Sequence, residues 1–97
     1  MAKRVELSRE ARADLKEIGR FTERRWGRQQ RIKYLGEIRQ RAVALAENHG
    51  LGRRRDEISK GLFSASIGSH IILFRVITTG IFVSRVLHAR MDIERYL

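Results

Sequence analysis

The sequence predicts an α+β fold in which a helical hairpin packs on one face of a small antiparallel sheet. In the first half of the chain, apolar side chains recur at three- and four-residue steps, as on helices. In the second half, apolar runs are separated by short turns, as in an antiparallel sheet. The chain has 97 residues, which suits a single domain over 1–97. The expected order is β-α-α-β-β-β, followed by a short C-terminal tail or helix.

The first half predicts one strand and two helices. Alternation over 4–7 indicates a strand, and Ser8 is a suitable N-cap because its hydroxyl can accept from a free N–H group of the first turn. The first helix is expected to end at about Arg25 or Trp26, before Gly27, and the second to span 28–47 and stop at 48–50. The apolar stripes are Ala11, Leu15, Ile18 and Phe21 on the first helix and Leu35, Ile38, Ala42 and Leu45 on the second, which Ile32 and Tyr34 flank.

The second half predicts a surface loop over 50–61 and then a three-stranded meander. The strands are expected at 62–67, 70–78 and 81–87, with turns at Gly68-Ser69 and Thr79-Gly80. The middle strand is apolar on both faces, and the helical hairpin can cover only one of them. The tail Met91 to Leu97 is expected to cover part of the other face, and a partner the rest.

Charge is the strongest compositional signal. Lysine and arginine number 21 against 11 acidic residues, which gives a net charge of +10. Most of the basic residues are arginine, whose planar guanidinium binds carboxylates and phosphates at two points. A nucleic acid, an acidic protein partner and a merely solvated surface all fit this balance.

Several classes of protein are disfavoured by composition. The chain has no cysteine, so disulfides and thiolate chemistry are excluded. Its apolar runs are far shorter than the ~20 residues of a membrane-spanning helix. Nothing near the N-terminus resembles an export signal, so a cytoplasmic location is expected. The histidines do not have the spacing of a metal site, and neither a metal nor a cofactor is expected.

Few side chains indicate catalysis. His88 ends the last strand near Arg85 and Arg90 and could act as an acid or base, although a surface histidine beside charged neighbours is the favoured alternative. His70 is expected to have a hydrogen-bonded structural role, and Trp26 and Tyr34 to close the hairpin core. The arginines at 53–55 could be solvated or could contact an acidic partner.

Several stretches resemble the ParE type of the ParE/RelE toxin superfamily. The segment Leu7-Ser8-Arg9-Glu10-Ala11-Arg12-Ala13-Asp14-Leu15-Lys16-Glu17-Ile18 resembles the family's opening, and Trp26-Gly27 falls at the break between its helices. The segment Gly68-Ser69-His70-Ile71-Ile72-Leu73-Phe74-Arg75-Val76 resembles a strand of the family. The most specific match is the ending Ile81-Phe82-Val83-Ser84-Arg85-Val86-Leu87-His88-Ala89-Arg90-Met91-Asp92. The resemblance therefore spans nearly the whole chain.

This resemblance implies a RelE/ParE-like fold and the toxin half of a type II toxin–antitoxin pair. Such toxins are neutralised by a ParD-like antitoxin with an acidic, amphipathic C-terminal segment, and when free they inhibit DNA gyrase and block replication. A hetero-oligomer with the antitoxin is implied, without membrane association or direct nucleic-acid binding. The expected target contacts are Arg75, Arg85, His88, Arg90, Met91 and Asp92. The expected antitoxin contacts are Arg53, Arg54, Arg55, Leu73 and Trp26.

Two alternatives stay open. RelE relatives cut messenger RNA on the ribosome, and in that case His88 with Arg85 and Arg90 would stabilise the phosphoryl transition state. The family commonly has an arginine after the Gly-Leu that opens the second strand, whereas Gly61-Leu62 is followed here by Phe63, which weakens the nuclease interpretation. The other alternative is a non-toxic subunit that binds DNA or a protein.

Overall fold

Residues 2–96 are described by a computed structural model, in which both helices pack against one face of a five-stranded sheet. The strands lie in the order β1-β5-β4-β3-β2. The elements are β1 (Arg4–Leu7), α1 (Arg9–Trp26), α2 (Arg28–Glu47), β2 (Arg53–Arg54), β3 (Leu62–Ile67), β4 (His70–Ile77) and β5 (Gly80–His88), with 3₁₀ turns at His49–Leu51 and Ile93–Tyr96. The α+β fold and the predicted helices are confirmed.

The helical hairpin forms where the capping residues direct it. The Ser8 hydroxyl accepts a hydrogen bond from the Ala11 N–H at 2.9 Å and so begins α1. Gly27 separates the helices with φ of 93°, a conformation that a side chain disfavours. Near this end, Arg31 of α2 donates to the Glu23 carboxylate of α1 at 2.8 Å. Asn48 follows the last residue of α2, as the sequence predicts.

The sheet differs from the prediction at both edges. Strands β3, β4 and β5 form the expected antiparallel meander, but β1 pairs parallel to β5, so the sheet is mixed rather than wholly antiparallel. The two α-helices lie between β1 and the meander in the sequence, so no tight turn dictates the direction of β1 relative to β5. At the other edge, Arg53 and Arg54 of the predicted loop pair with Ser64 and Phe63. Both arginines are exposed, so no apolar alternation marks this strand.

The main core lies between the hairpin and the sheet. Its buried members are Ala11, Ile18, Ile38, Leu45, Ala46, Phe63, Ala65, Ile72, Phe74, Ile81, Val83 and Val86. Phe21 is an exception to the predicted stripe, since it is 52% exposed. The four-residue step from Ile18 brings Thr22 onto the buried face instead, where its hydroxyl donates to the Ile18 carbonyl at 2.7 Å.

The second face of the sheet has a small apolar cluster of its own. Leu62, Leu73 and Leu87 are fully or almost fully buried there. Ile93 of the C-terminal segment packs on them, which confirms the predicted cover by the tail, and Ile58 of the loop adds to it. Leu97, the last residue of the predicted tail, lies outside the described residues.

Within residues 2–96, neither α-helix is long and apolar enough to cross a membrane.

Candidate functional site

An apolar groove opens between α2 and the edge strand β1. Its volume is about 490 Å³, within the range of ligand-sized pockets. The lining comes from both helices and from the helix-facing side of the sheet: Lys3, Val5, Leu7, Leu15, Leu35, Ile38, Arg39, Ala42, Val43, Ile72, Val83 and Val86. Only two of these side chains carry a charge.

The charges and the exposure of the groove indicate what it can bind. Lys3 and Arg39 are exposed and basic, and Val43 exposes 47% of its surface to solvent. Because β1 is the first strand of the sheet, its outer edge has no strand partner among residues 2–96. The groove therefore suits an amphipathic segment that presents apolar side chains inward and acidic side chains toward Lys3 and Arg39.

Sequence reasoning did not identify this groove. Lys3 is far in the sequence from Arg39 and Val43, and none of the three belongs to a motif. The alternation of Val5 and Leu7 predicts that they share a face, but the space beside them depends on how α2 crosses the sheet. Only an unusually apolar outer position on α2, that of Val43, could have been a signal.

Arg85, an expected target contact, is engaged inside the molecule. Its Nε and Nη2 donate to the two carboxylate oxygens of Asp14 at 2.8 and 2.9 Å. Its Nη1 donates to the Tyr96 carbonyl at 3.2 Å, and its guanidinium lies 5.4 Å from the centre of the Tyr96 ring. The hydrogen bond to Asp14 is the main cause that raises the pKa of Arg85. The geometry gives Arg85 a structural role.

His88 lies beside His70, which in turn contacts Tyr34. The two imidazoles are cross-strand neighbours with ring centres 5.4 Å apart. The Tyr34 hydroxyl is 2.6 Å from Nδ1 of His70, which fits the predicted structural role of that histidine. Burial, and secondly the nearby His88, lower the pKa of His70. Nδ1 of His88 accepts a hydrogen bond from the Arg90 N–H at 3.1 Å.

The other expected target contacts separate into two groups. The guanidinium of Arg75 donates to the Lys60 carbonyl at 2.6 Å and to the Ser59 hydroxyl at 2.7 Å, and so holds the loop before β3. Arg90, Met91 and Asp92 are exposed and follow β5 after Ala89. We call these three residues the C-terminal turn. It is the part of the predicted target surface that is open to a partner.

The expected antitoxin contacts do not form one patch. Trp26 and the arginines at 53–55 lie at opposite ends of the hairpin, separated by α2, whose length is about 30 Å. Arg54 and Arg55 are paired with Asp56 and Glu57. The Gly61 N–H and then Arg54 hold the pKa of Asp56 below its usual value.

Burial and packing bear on three expectations: Leu73 as an antitoxin contact, and Trp26 and Tyr34 as residues that close the hairpin core. Leu73 has no exposed surface, because the cluster on the second face encloses it, so it offers no direct contact to an antitoxin in this conformation. Trp26 does not close the hairpin core, since 62% of its surface is exposed. Tyr34 is half-buried, but it packs against the turn before β4 rather than at the hairpin end.

A metal centre is not assembled in the described part of the chain: no three His, Asp or Glu side chains of residues 2–96 lie together in a suitable cluster.

Comparison with known sequences places the chain in a family. Residues 5–93 match the family model described as the ParE toxin of the type II toxin–antitoxin system parDE. Over the full length of both chains, the sequence is 44% identical to Toxin ParE1 of Mycobacterium tuberculosis. It is 34% identical to Toxin ParE1 of Caulobacter vibrioides over 94% of each chain.

Solved structures agree on the fold. A chain from the chromosomal ParDE system of P. aeruginosa superimposes with a TM-score of 0.75 at 20% identity, covering 90% of this chain and 96% of that one. A chain of the RelBE2 toxin–antitoxin complex of Mycobacterium tuberculosis gives 0.63 at 24% identity, covering 91% and 99%. With the family model and the relatives in sequence, these findings show that the chain belongs to the ParE family, the toxins of type II toxin–antitoxin systems.

Proposed function

We propose that this toxin blocks DNA gyrase in the cytoplasm when it is free, and that a ParD-like antitoxin neutralises it by placing an acidic, amphipathic segment in the groove beside β1. The groove is the observation that carries the antitoxin half of this proposal. It is apolar in its depth, basic at Lys3 and Arg39, and bordered by a sheet edge without a strand partner. A disordered acidic segment could fold into such a site and bury a large area for its length.

The contact with gyrase is assigned to the C-terminal turn. Arg90, Met91 and Asp92 are consecutive and exposed. The end of β5 and the hydrogen bond from the Met91 N–H to the His88 carbonyl at 2.9 Å position the turn that they form. Of the other expected target residues, we propose that Arg85 and His88 support this surface from within, whereas Arg75 orders the loop before β3. Arginine and methionine are both enriched at protein interfaces.

Binding is favoured over ribonuclease activity by the state of Arg85. A phosphoryl transition state needs a cation whose donors are free to meet the developing charge. Both of the Arg85 nitrogens that could form a two-point contact already bind Asp14. The nuclease alternative would therefore require the least exposed ion pair of residues 2–96 to open.

The antitoxin half is tested with one groove variant and a matched control on the same helix. Val43→Glu places a carboxylate in the groove and should weaken binding of the purified ParD-like antitoxin at least tenfold, because it adds an unpaired charge to an apolar contact. Gln40→Glu adds the same charge at another exposed position of α2 and should change the affinity by less than about threefold. Equal affinities for the two variants would refute the proposed site.

The gyrase half is tested by a supercoiling assay with the antitoxin-free chain. The wild-type toxin should inhibit supercoiling and accumulate cleaved DNA. The double variant Arg90→Ala/Met91→Ala should lose this inhibition while it still binds the antitoxin, since the turn does not line the groove. Unchanged supercoiling with the wild-type toxin, or codon-linked cuts of mRNA in a translation extract, would exclude gyrase inhibition as the activity.

A further inference from the structure

The end of the helical hairpin concentrates positive charge. Residues 20–33, which we call the hairpin tip, contain six lysine and arginine residues and one acidic residue, Glu23. Half of the net charge of the chain thus lies in a short segment that joins two helices. Arg31 is paired with Glu23, and Arg24 lies 3.9 Å from Glu17. Within the described chain, Arg25 and Arg28 form no ion pair, so they are free to meet an anion.

The hairpin tip also exposes aromatic surface. Trp26 is 62% exposed and Phe21 is 52% exposed. Their rings meet edge to face with centres 6.1 Å apart, which orients the indole of Trp26 at the surface of the hairpin. The guanidinium of Arg25 lies 5.7 Å from the centre of the indole. A cation therefore lies over one face of a largely exposed indole.

The first turn of α2 adds donors at the same place. Gly27 provides no side chain to cap this helix, and the first turn contains no acidic residue. The N–H groups of the first turn are left without helical acceptors, and they carry the positive end of the helix dipole. Phosphate groups bind well to such helix starts, particularly beside arginine.

From this juxtaposition we propose that the hairpin tip binds single-stranded nucleic acid, with phosphates held by Arg25, Arg28 and the start of α2 and a base stacked on Trp26. This activity goes beyond the proposed function. It also departs from the expectation that the chain avoids direct contact with nucleic acid. The bases of a duplex are already stacked on each other, so only an unpaired strand can offer one to the indole.

Charge alone would suit an acidic protein equally well. The aromatic surface favours nucleic acid, because each nucleotide joins a flat π-face to a negative group, and the hairpin tip presents the complement of both within a few residues. An acidic protein surface would satisfy the arginines but would leave Trp26 and Phe21 exposed. An acidic polypeptide is therefore the competing partner in the test.

The experiment uses Trp26 as its own reporter, since it is the only tryptophan of the chain. Stacking of a base on the indole quenches its fluorescence, so we titrate the toxin with an oligothymidylate of about 20 nucleotides, longer than one protein footprint. Quenching should saturate at low salt, and the affinity should fall as salt rises. Oligouridylate in a parallel arm distinguishes RNA from DNA, and binding of either one supports the proposal.

Variants are compared by anisotropy of a labelled strand. Trp26→Leu should weaken binding about 5- to 150-fold, the usual effect of losing one base–aromatic stack. Arg25→Gln/Arg28→Gln should reduce the steepness of the salt dependence by about 0.7 per lost phosphate contact. Arg12→Gln is the control, because it removes an exposed arginine from the far end of α1. Thermal unfolding of each variant verifies that it is folded.

Three results would overturn the proposal. One is the absence of quenching at low salt. Another is equal binding of polyglutamate or of a matched duplex, which would assign the hairpin tip to unspecific charge or to a protein. The third is a loss of affinity in Arg12→Gln as large as that in Arg25→Gln/Arg28→Gln. A failure of these tests would leave the antitoxin and gyrase assays unaffected, since the proposed variants lie outside the groove and the C-terminal turn.

Discussion

Asp14 and Arg85 are 71 residues apart in the sequence, and their side chains form a two-point ion pair in which both are largely buried. The same Asp14 carboxylate accepts the Val86 N–H at 3.0 Å, at a stretch of β5 that β1 is too short to pair. One carboxylate therefore supplies an acceptor that a longer strand would have supplied, and it joins the start of α1 to the last strand.

Removal of this carboxylate should be costly. Asp14→Ala is expected to lower the free energy of unfolding by about 3 kcal/mol, because it leaves a buried guanidinium and a backbone donor without their acceptor. Urea unfolding measures this change. Glu23→Ala breaks a comparably short but exposed ion pair with Arg31 and should cost less than about 1 kcal/mol. Similar losses for the two variants would show that the burial of Asp14 has no energetic importance.

Two glycines should respond to alanine with opposite signs. Gly80 has φ of 150°, and a Cβ there would overlap the backbone of Arg4 in β1, whose nitrogen would lie at 2.6 Å. Gly80→Ala should therefore displace β1 and cost about 3 kcal/mol or more. Gly36 lies within α2 with open space around it, and Gly36→Ala should stabilise by about 0.5–1 kcal/mol through helix propensity. Thermal unfolding measures both changes in stability. A stable Gly80→Ala variant would contradict the pairing of β1 with β5.

The stability should depend on pH through His70. Burial and His88 lower the pKa of His70 in the folded chain, so the unfolded chain binds a proton first. Neutral His70 stabilises the folded chain fully above the ordinary histidine pKa near 6.5. This stabilisation is lost as the pH falls through the lowered pKa of His70 in the folded chain. The free energy of unfolding should decrease between pH 7.5 and 5.5, and less so in His70→Gln. His49→Gln, on an exposed turn, is the control and should keep the wild-type dependence.

Substitution of Leu73 should change the stability of the fold without changing antitoxin binding. Its side chain is fully enclosed on the second face of the sheet, so Leu73→Ala should lower the free energy of unfolding by about 3 kcal/mol. Binding of the antitoxin by the folded fraction should be unchanged, since Leu73 does not line the groove. A large loss of affinity without loss of stability would restore Leu73 as a contact and place the antitoxin on the second face.

Local patterns predict most of this fold and less of its binding surfaces. The caps at Ser8 and Gly27 and the turn at Gly68-Ser69 are short-range signals, and the elements they bound appear where expected. The parallel pairing of β1 depends on contacts across the whole chain, which no local pattern reports. The exposed strand Arg53–Arg54 has no apolar alternation to mark it.

The surroundings of several predicted binding residues could not be read from the sequence for the same reason. Arg85 is basic and near the C-terminal motif, but its availability is decided by Asp14 in a distant part of the sequence. Leu73 is apolar, and only the packing of Ile58 and Ile93 shows that nothing can reach it. Trp26 is the opposite case to Leu73. Its helical spacing indicates a core residue, but the turn at Gly27 leaves its side chain at the surface.

The parallel pairing of the first strand with the last has a consequence for biosynthesis. Val5 and Leu7 form one wall of the groove, and Val83 and Val86 lie in its depth. A nascent chain that has not yet released β5 from the ribosome has no partner for β1, because the contact spans almost the entire polypeptide. Fragments from interrupted translation should therefore be unable to sequester the neutralising protein. The toxin would therefore become able to bind its antitoxin only when its synthesis is complete, which is also when it becomes able to act.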